Sequence, residues 1–196
     1  MNKDRIIEVL KQSSEIKQRI FNDSAFVDEI ASVAQLIVDT YKSGGKVLLA
    51  GNGGSAADAQ HIAAELSGKF YFDRDPLDAE ALHVNTSYLT AVANDYSFDD
   101  VYLRAVKAKA KKGDVFIAIS TSGNSENLIN TLNYCNEYDV ITVGLTGESG
   151  GKMINYCKHL LRVPSNDTPR IQEAHITIGH ILCELVESSL FDNGNK

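Results

Sequence analysis

The stretch "LLAGNGGSAADAQHIAAEL" (48–66) carries two kinds of chemistry side by side. His61 and Glu65 stand four apart in a helical pattern and so share one face. A histidine and a carboxylate in that relation suit a metal ion or a proton transfer. Just before them, "GNGGSA" (51–56) turns an apolar run into that helix, and the backbone N–H groups at a helix start attract anions. A second small-polar loop, "STSGNSEN" (120–127), offers the hydroxyls of Ser120, Thr121, Ser122 and Ser125. Capping a helix uses only one or two of them, so the loop points to phosphate binding. The segment "RIQEAHITIGH" (170–180) adds Arg170, Gln172, His175 and His180. On a helix, Gln172 and His180 lie ~80° apart around the axis and ~12 Å apart along it. They meet at one metal only by leaning together or by coming from different subunits. His175, between them, is either a buried residue or a support for its neighbours. Zinc draws four ligands from His, Cys and carboxylate, which makes His61, Glu65 and His180 candidates; spacing alone does not bring them together.

Simpler readings stand beside these. His61 and Glu65 also fit a surface ion pair or a satisfied core histidine. "GNGGSA" matches the G-x-G-x-x-A dinucleotide fingerprint, which expects an acidic residue ending the next strand. That strand ends in Val84 and Asn85, and Asp73, Asp75 and Asp78 fall in the loop before it, so a nicotinamide cofactor is disfavoured. No lysine occupies the position a nucleotide-hydrolysing phosphate loop requires.

These loops need a scaffold. The chain has 196 residues, enough for one domain with a sizeable core. Its 43% apolar and 23% charged content is that of an ordinary globular protein. A net charge of −7 repels nucleic-acid phosphates and argues against nucleic acid as a partner. The three cysteines, Cys135, Cys157 and Cys183, form no C-x-x-C pair and suggest a reducing compartment. Charged residues interrupt every apolar group of "MNKDRIIEVLKQSSEIKQRIF", unlike a signal peptide, and no apolar run approaches the ~20 residues that span a bilayer. The expectation is a cytoplasmic protein without a membrane partner.

The first forty residues form two amphipathic helices. One runs over 3–21 with Ile6, Ile7, Leu10, Ile16 and Ile20 as its stripe; the other runs over 25–41 with Phe26, Ile30, Val33, Ile37 and Tyr41. Asp23 or Ser24 caps the second. Short apolar strands then alternate with helices: "KVLLAG" (46–51), "EALHV" (80–84), "DVFIAIS" (114–120), "VITVGLT" (140–146) and "HLLRV" (159–163). Helices are expected over 56–69, 88–95, 100–110, 126–138, 151–156 and 168–190, the last with a stripe of Ile171, Ala174, Ile178, Ile181, Leu182 and Leu185. This alternation predicts an α/β fold with a central parallel sheet of about five strands, covered by helices on both faces. Ligands of such folds bind beyond the carboxyl ends of the strands, where both small-polar loops fall.

Taken together, "LLAGNGGSAADAQHIAAELSGKF", "ANDYSFDDVY", "ISTSGNSENLINTL", "GLTGESGGKM" and "VPSNDTPRIQEAHITIGHILCELVE" resemble the bacterial phosphoheptose isomerases, in order and in spacing from about residue 30 to 190. The resemblance implies the sugar-isomerase (SIS) fold, a three-layer sandwich forming a single domain over 1–196, with N-terminal helices over 1–42 and the α/β core over 43–196. It further implies interconversion of sedoheptulose 7-phosphate and D-glycero-D-manno-heptose 7-phosphate, the first step toward activated heptose for lipopolysaccharide or other surface glycans. Homotetramers with active sites at subunit interfaces and one zinc ion per subunit also follow from it. Carried onto this sequence, the zinc ligands fall on His61, Glu65, Gln172 and His180. Substrate contacts fall on Asn52, Gly53, Gly54, Glu65, Asn94, Asp95, Ser120, Thr121, Ser122, Ser125 and Gln172. Glu65 becomes the general base and acid, and His180 the proton shuttle among sugar oxygens. A metal-bound carboxylate is a weaker base, so Glu65 either moves between metal and substrate or zinc supports structure more than chemistry.

Three departures from the family pattern stand out. "HVNTS" (83–87) replaces a stretch like T-T-D-T-S, so Asn85 stands where a carboxylate is usual. Pro169 precedes "RIQ", where it suits the first helical turn. "YFDRDPLD" (71–78) is peculiar to this chain. Competing readings are a non-catalytic SIS tetramer that binds a replication initiator protein, a sugar-phosphate-sensing module of a regulator, and an isomerase of another ketose phosphate. Glu65 and His180 count against the first, and the absence of a DNA-binding domain counts against the second.

Overall fold

The computed structural model describes residues 2–191; the outermost residues of the expected domain, 1 and 192–196, lie outside them. Two helices come first, α1 (Lys3–Asn22) and α2 (Ser24–Lys42). Asp23 separates them: its backbone N–H closes α1 on Ile20 O, and its carboxylate accepts from Phe26 N at 3.1 Å to start α2. The α/β core follows as β1 (Val47–Gly51), α3 (Gly54–Ser67), β2 (Ala79–Ala81), α4 (Thr86–Asp95), α5 (Val101–Lys109), β3 (Val115–Ile119), α6 (Glu126–Glu137), β4 (Ile141–Thr146), β5 (His159–Arg162) and α7 (Thr168–Phe191). Short 3-10 turns fill Phe98–Asp100 and Gly151–Asn155.

All five strands run parallel, in the order β2-β1-β3-β4-β5. Alternate side chains feed two separate cores. Val47, Leu49, Ile117 and Val143 meet α1, α2, α3 and α7 on one face, and Leu48, Ala50, Phe116 and Ala118 meet α4, α5 and α6 on the other. Among the described residues no helix is long and apolar enough to cross a membrane.

Two expectations need correction. The second strand ends at Ala81 rather than Val84. It is an edge strand paired only to Val47–Leu49, and the chain must turn at once so that Asn85 can cap α4. Among the described residues the first half of the α1 stripe is not covered: Ile6, Ile7 and Leu10 are exposed, and of the stripe only Ile16 is buried. On α7, Ile181 and Leu185 likewise lie at the rim of the stripe, where with Phe21 and Val27 they line an open apolar groove of about 350 Å³.

Candidate active site

The chain leaves β1 toward β2 and returns to β3 on β1's other side, so the sheet order reverses between β1 and β3. Open α/β sheets bind ligands in the crevice beyond the strand ends at such a switch point. The two small-polar loops form its walls. Gly53 adopts φ 56° and ψ −121°, a backbone state that costs a glycine little and other residues much. That turn aims the start of α3 into the crevice. Asn52 and Asn127 exchange two amide hydrogen bonds, each 3.0 Å, and so staple one loop to the other. Tyr102, buried beneath them, donates its hydroxyl to Gly51 O.

In the second loop Ser120 Oγ lies 3.1 Å from Ser125 Oγ and 3.4 Å from Ser122 Oγ. Ser125 occupies the N-cap position of α6, yet its side chain caps nothing. Three hydroxyls therefore face one another at a helix N-terminus instead of closing it, the arrangement an anionic oxygen cluster needs. Thr121 is tied in through its carbonyl, which accepts from Gly147 N at 3.0 Å.

Close approach of α3 and α7 assembles the other half. Gly179 makes it possible: a Cβ there would fall 2.5 Å from Ile62 Cδ1. His61 Nε2 stands 3.1 Å from Glu65 Oε1 and 3.4 Å from His180 Nε2, with the imidazoles edge-on at 5.0 Å between centroids. Gln172 packs beside Gly54, whose added Cβ would lie 3.7 Å from its Cγ, and it donates Nε2 to Asp58 Oδ1 at 2.6 Å. Asp58 is buried with Oδ2 unpartnered. Burial raises its pKa, partly countered by the Gln172 bond and by His61 and His180 nearby.

Two imidazole nitrogens and a carboxylate oxygen are the donor set zinc prefers, and their 3.1 and 3.4 Å spacings match the edges, roughly 3.3 Å, of a tetrahedron of zinc ligands. Asp58 takes the amide N–H of Gln172, which leaves its Oε1 as the remaining donor atom. The residues fit the group by chemistry and pairwise spacing. Among the described residues, however, no group of three or more His, Cys, Asp and Glu side chains is placed to hold a metal ion, so the fit is pairwise only.

His61, Glu65 and His180 thus come together, with Gln172 reached through Asp58. Asn52, Gly53, Gly54, Ser120, Ser122 and Ser125 line the crevice walls. Asn94 and Asp95 do not join them: exposed at the end of α4, they bond to each other at 2.8 Å. His175 is fully buried and bonds Thr146 O at 3.1 Å, so it belongs to the core. Asn85 accepts from Tyr88 N at 3.0 Å as the cap of α4, a role an aspartate fills equally well. Asn127, Tyr102 and Asp58 escaped the sequence reading. Asn127 belongs to the quoted serine loop, and Asp58 lies one turn before His61; those positions were the only signals.

The sequence matches the SIS domain over residues 10–147. It is 52% identical over 182 residues to a phosphoheptose isomerase of Clostridium acetobutylicum, covering 93% of each chain. The chain belongs to the phosphoheptose isomerase family. It is accordingly an enzyme, a sugar-phosphate isomerase. Solved structures agree across the whole fold. The family member from Neisseria gonorrhoeae is 41% identical with a TM-score of 0.88, covering 95% of this chain and 98% of its own. That from Francisella tularensis is 35% identical with a TM-score of 0.91, covering 96% and 100%. The expected three-layer α/β sandwich is the fold observed.

Proposed function

We propose that this enzyme interconverts sedoheptulose 7-phosphate and D-glycero-D-manno-heptose 7-phosphate, supplying activated heptose for surface glycans. The observation that carries this reading is the meeting of His61, Glu65 and His180 beside a glycine turn that is stapled to a ring of serine hydroxyls. A phosphorylated sugar fits that layout, with its phosphate at Ser120, Ser122 and Ser125 and its hydroxyls along Asn52, Gly53 and Gly54.

Ketose-to-aldose conversion moves a proton between C1 and C2 through an enediol(ate). Glu65 takes the proton from C1 and returns it at C2, as one carboxylate can when both carbons stay within hydrogen-bond reach. His180 moves a proton between the O1 and O2 oxygens, so that charge never accumulates on either. Asn52, held by Asn127, orients the chain of hydroxyls and keeps the reacting end against Glu65. Zinc would be held by His61, Glu65, Gln172 and His180, and when bound it supplies Lewis-acid polarisation of the carbonyl.

Homotetramers in the cytoplasm, with active sites where subunits meet, belong to the same proposal. Its support is the exposed α1 stripe, the apolar groove beside it, and the outward-facing pair Asn94 and Asp95, which a neighbouring subunit's site can use. Turnover tests the proposal: sedoheptulose 7-phosphate, fructose 6-phosphate and ribulose 5-phosphate are each offered to purified protein, before and after chelation and zinc restoration, with products read by NMR. The expected result is an aldoheptose 7-phosphate from the first alone. Preference for a shorter ketose phosphate moves the assignment to that substrate, and no turnover in any metal state overturns it.

A further inference from the structure

The "YFDRDPLD" segment (71–78) is built around a buried ion pair. Arg74 in the loop after α3 and Glu187 near the end of α7 are each almost wholly enclosed, with Nε and Oε1 2.9 Å apart. Glu187 also accepts three successive backbone N–H groups, from Phe70 at 2.8 Å, Tyr71 at 2.6 Å and Phe72 at 3.0 Å. Burial pushes its carboxyl up, but those three donors and Arg74 outweigh burial and hold it below the usual range, so it stays ionised at neutral pH. The Arg74 guanidinium gives its other N–H groups to the carbonyls that end α3, Glu65 O at 3.0 Å, Leu66 O at 2.7 Å and Gly68 O at 3.0 Å, and to Asp75 O in its own loop at 3.0 Å.

A clamp this complete is more than loop anchoring, because both of its ends reach the active site. One end holds the carbonyl of Glu65 itself. The other holds the backbone of Phe70, whose ring lies 5.9 Å from the His180 imidazole. Glu187 and His180 share a face of α7, two turns apart. One fully hydrogen-bonded ion pair therefore ties the last turn of α3, Glu65 included, to the ring that flanks His180, across the gap where Glu65 and His180 must cooperate.

We propose that Arg74 and Glu187 are positioning residues for the reaction: through the Glu65 carbonyl and the Phe70 ring they fix Glu65 and His180 relative to each other. The inference rests on the reading of Glu65 and His180 as the proton-transfer pair. A guanidinium fork is needed, since a lysine in the same place can meet only part of the carbonyl set and the carboxylate at once.

Two variants of the full-length protein test it. Arg74→Lys loosens the clamp, while Phe70→Leu leaves every clamp bond intact, because those bonds are to the backbone, and removes the ring that lies against His180 and Tyr71. The His180 imidazole signal, assigned by its loss in His180→Gln, is followed by 13C–1H NMR alongside kcat and KM. In Arg74→Lys, where the Phe70 ring is kept, the His180 signal shifts while that of His159 stays; in both variants kcat falls about tenfold or more and KM stays within about threefold, and the shift that loss of the ring itself causes in Phe70→Leu is not counted. If Arg74→Lys does not fold, Glu187→Gln, which keeps an acceptor oxygen for the backbone N–H groups but weakens the ion pair, is read in the same way. An unmoved His180 signal, or kcat unchanged in folded protein, overturns the proposal. Glu65→Gln, measured in parallel, separates the two layers: wild-type kcat there refutes the proton-transfer reading, whereas the NMR shift reports on positioning regardless.

Discussion

Ser125→Ala separates phosphate binding from helix capping, the two readings that the sequence left in competition. If Ser125 capped α6, its loss would cost about 1 kcal/mol, some 2–4 °C in Tm for a chain of this size, and leave substrate affinity alone. The structure shows a different arrangement. Ser125 caps nothing; its hydroxyl faces Ser120 at 3.1 Å, and Ser120 keeps a second hydroxyl, Ser122, at 3.4 Å. The stability lost is then one neutral hydrogen bond in a partly buried loop, about 0.5–1 kcal/mol. A hydroxyl bonded to a phosphate oxygen is charge-assisted and contributes about 1.5–3 kcal/mol to binding, which is roughly ten- to 150-fold. KM for the sugar phosphate should rise by at least about tenfold, with kcat little changed, since binding at the phosphate is alike in ground and transition states. Inorganic phosphate, as a competitive inhibitor, should lose affinity in parallel. Steady-state kinetics and thermal melting on the same preparations give all three quantities. KM and the phosphate inhibition constant both within twofold of wild type, with a lowered Tm, would refute the reasoning.

Other outcomes follow from residues away from the chemistry. Burial pushes the His175 pKa down to about 4, against the pull of its bond to Thr146, so the folded chain refuses a proton that the unfolded chain accepts near pH 6.5. Stability is therefore lost as pH falls from 6.5 toward 4, by about 2 kcal/mol at pH 5, and His175→Gln removes that share of the slope in urea titrations at pH 7 and pH 5. Phe21 is 74% exposed at the mouth of the apolar groove, so Phe21→Glu should shift light scattering from the proposed tetramer to smaller species while circular dichroism stays unchanged. An unaltered mass would remove this face from the subunit contacts.

Much of the scaffold was legible because its signals are local. "KVLLAG" and "DVFIAIS" carry apolar side chains on both faces, as only a strand enclosed between helix layers does, and both appear within a residue of their expected ends. The error at β2 has the same origin: Leu82 is apolar and buried, but it is buried beyond the last paired residue, and periodicity cannot tell pairing from packing. The pair His61 and Glu65 was readable from spacing. Their junction with His180 was not, because it depends on how closely Gly179 lets α7 approach Ile62. Asp58 with Gln172 and Arg74 with Glu187 are contacts between residues more than a hundred positions apart, and no single-chain pattern announces them. Ile6, Ile7 and Leu10 show the reverse case, a clear stripe that stays exposed among the described residues.

Solvent exchange during turnover tests the central claim, a proton transfer by Glu65, most directly. Sedoheptulose 7-phosphate is converted in D2O, and the aldose product is analysed by NMR for deuterium at C2, with wild type and Glu65→Gln compared. Proton abstraction and return by a carboxylate open to water predicts deuterium at C2 and loss of both turnover and exchange in the variant. Full turnover without deuterium would mean that the hydrogen passes from C1 to C2 without meeting water, by direct transfer or on a shielded base, and so not on a carboxylate open to solvent. Unimpaired turnover in Glu65→Gln would take the base role from Glu65, and either result would contradict the mechanism.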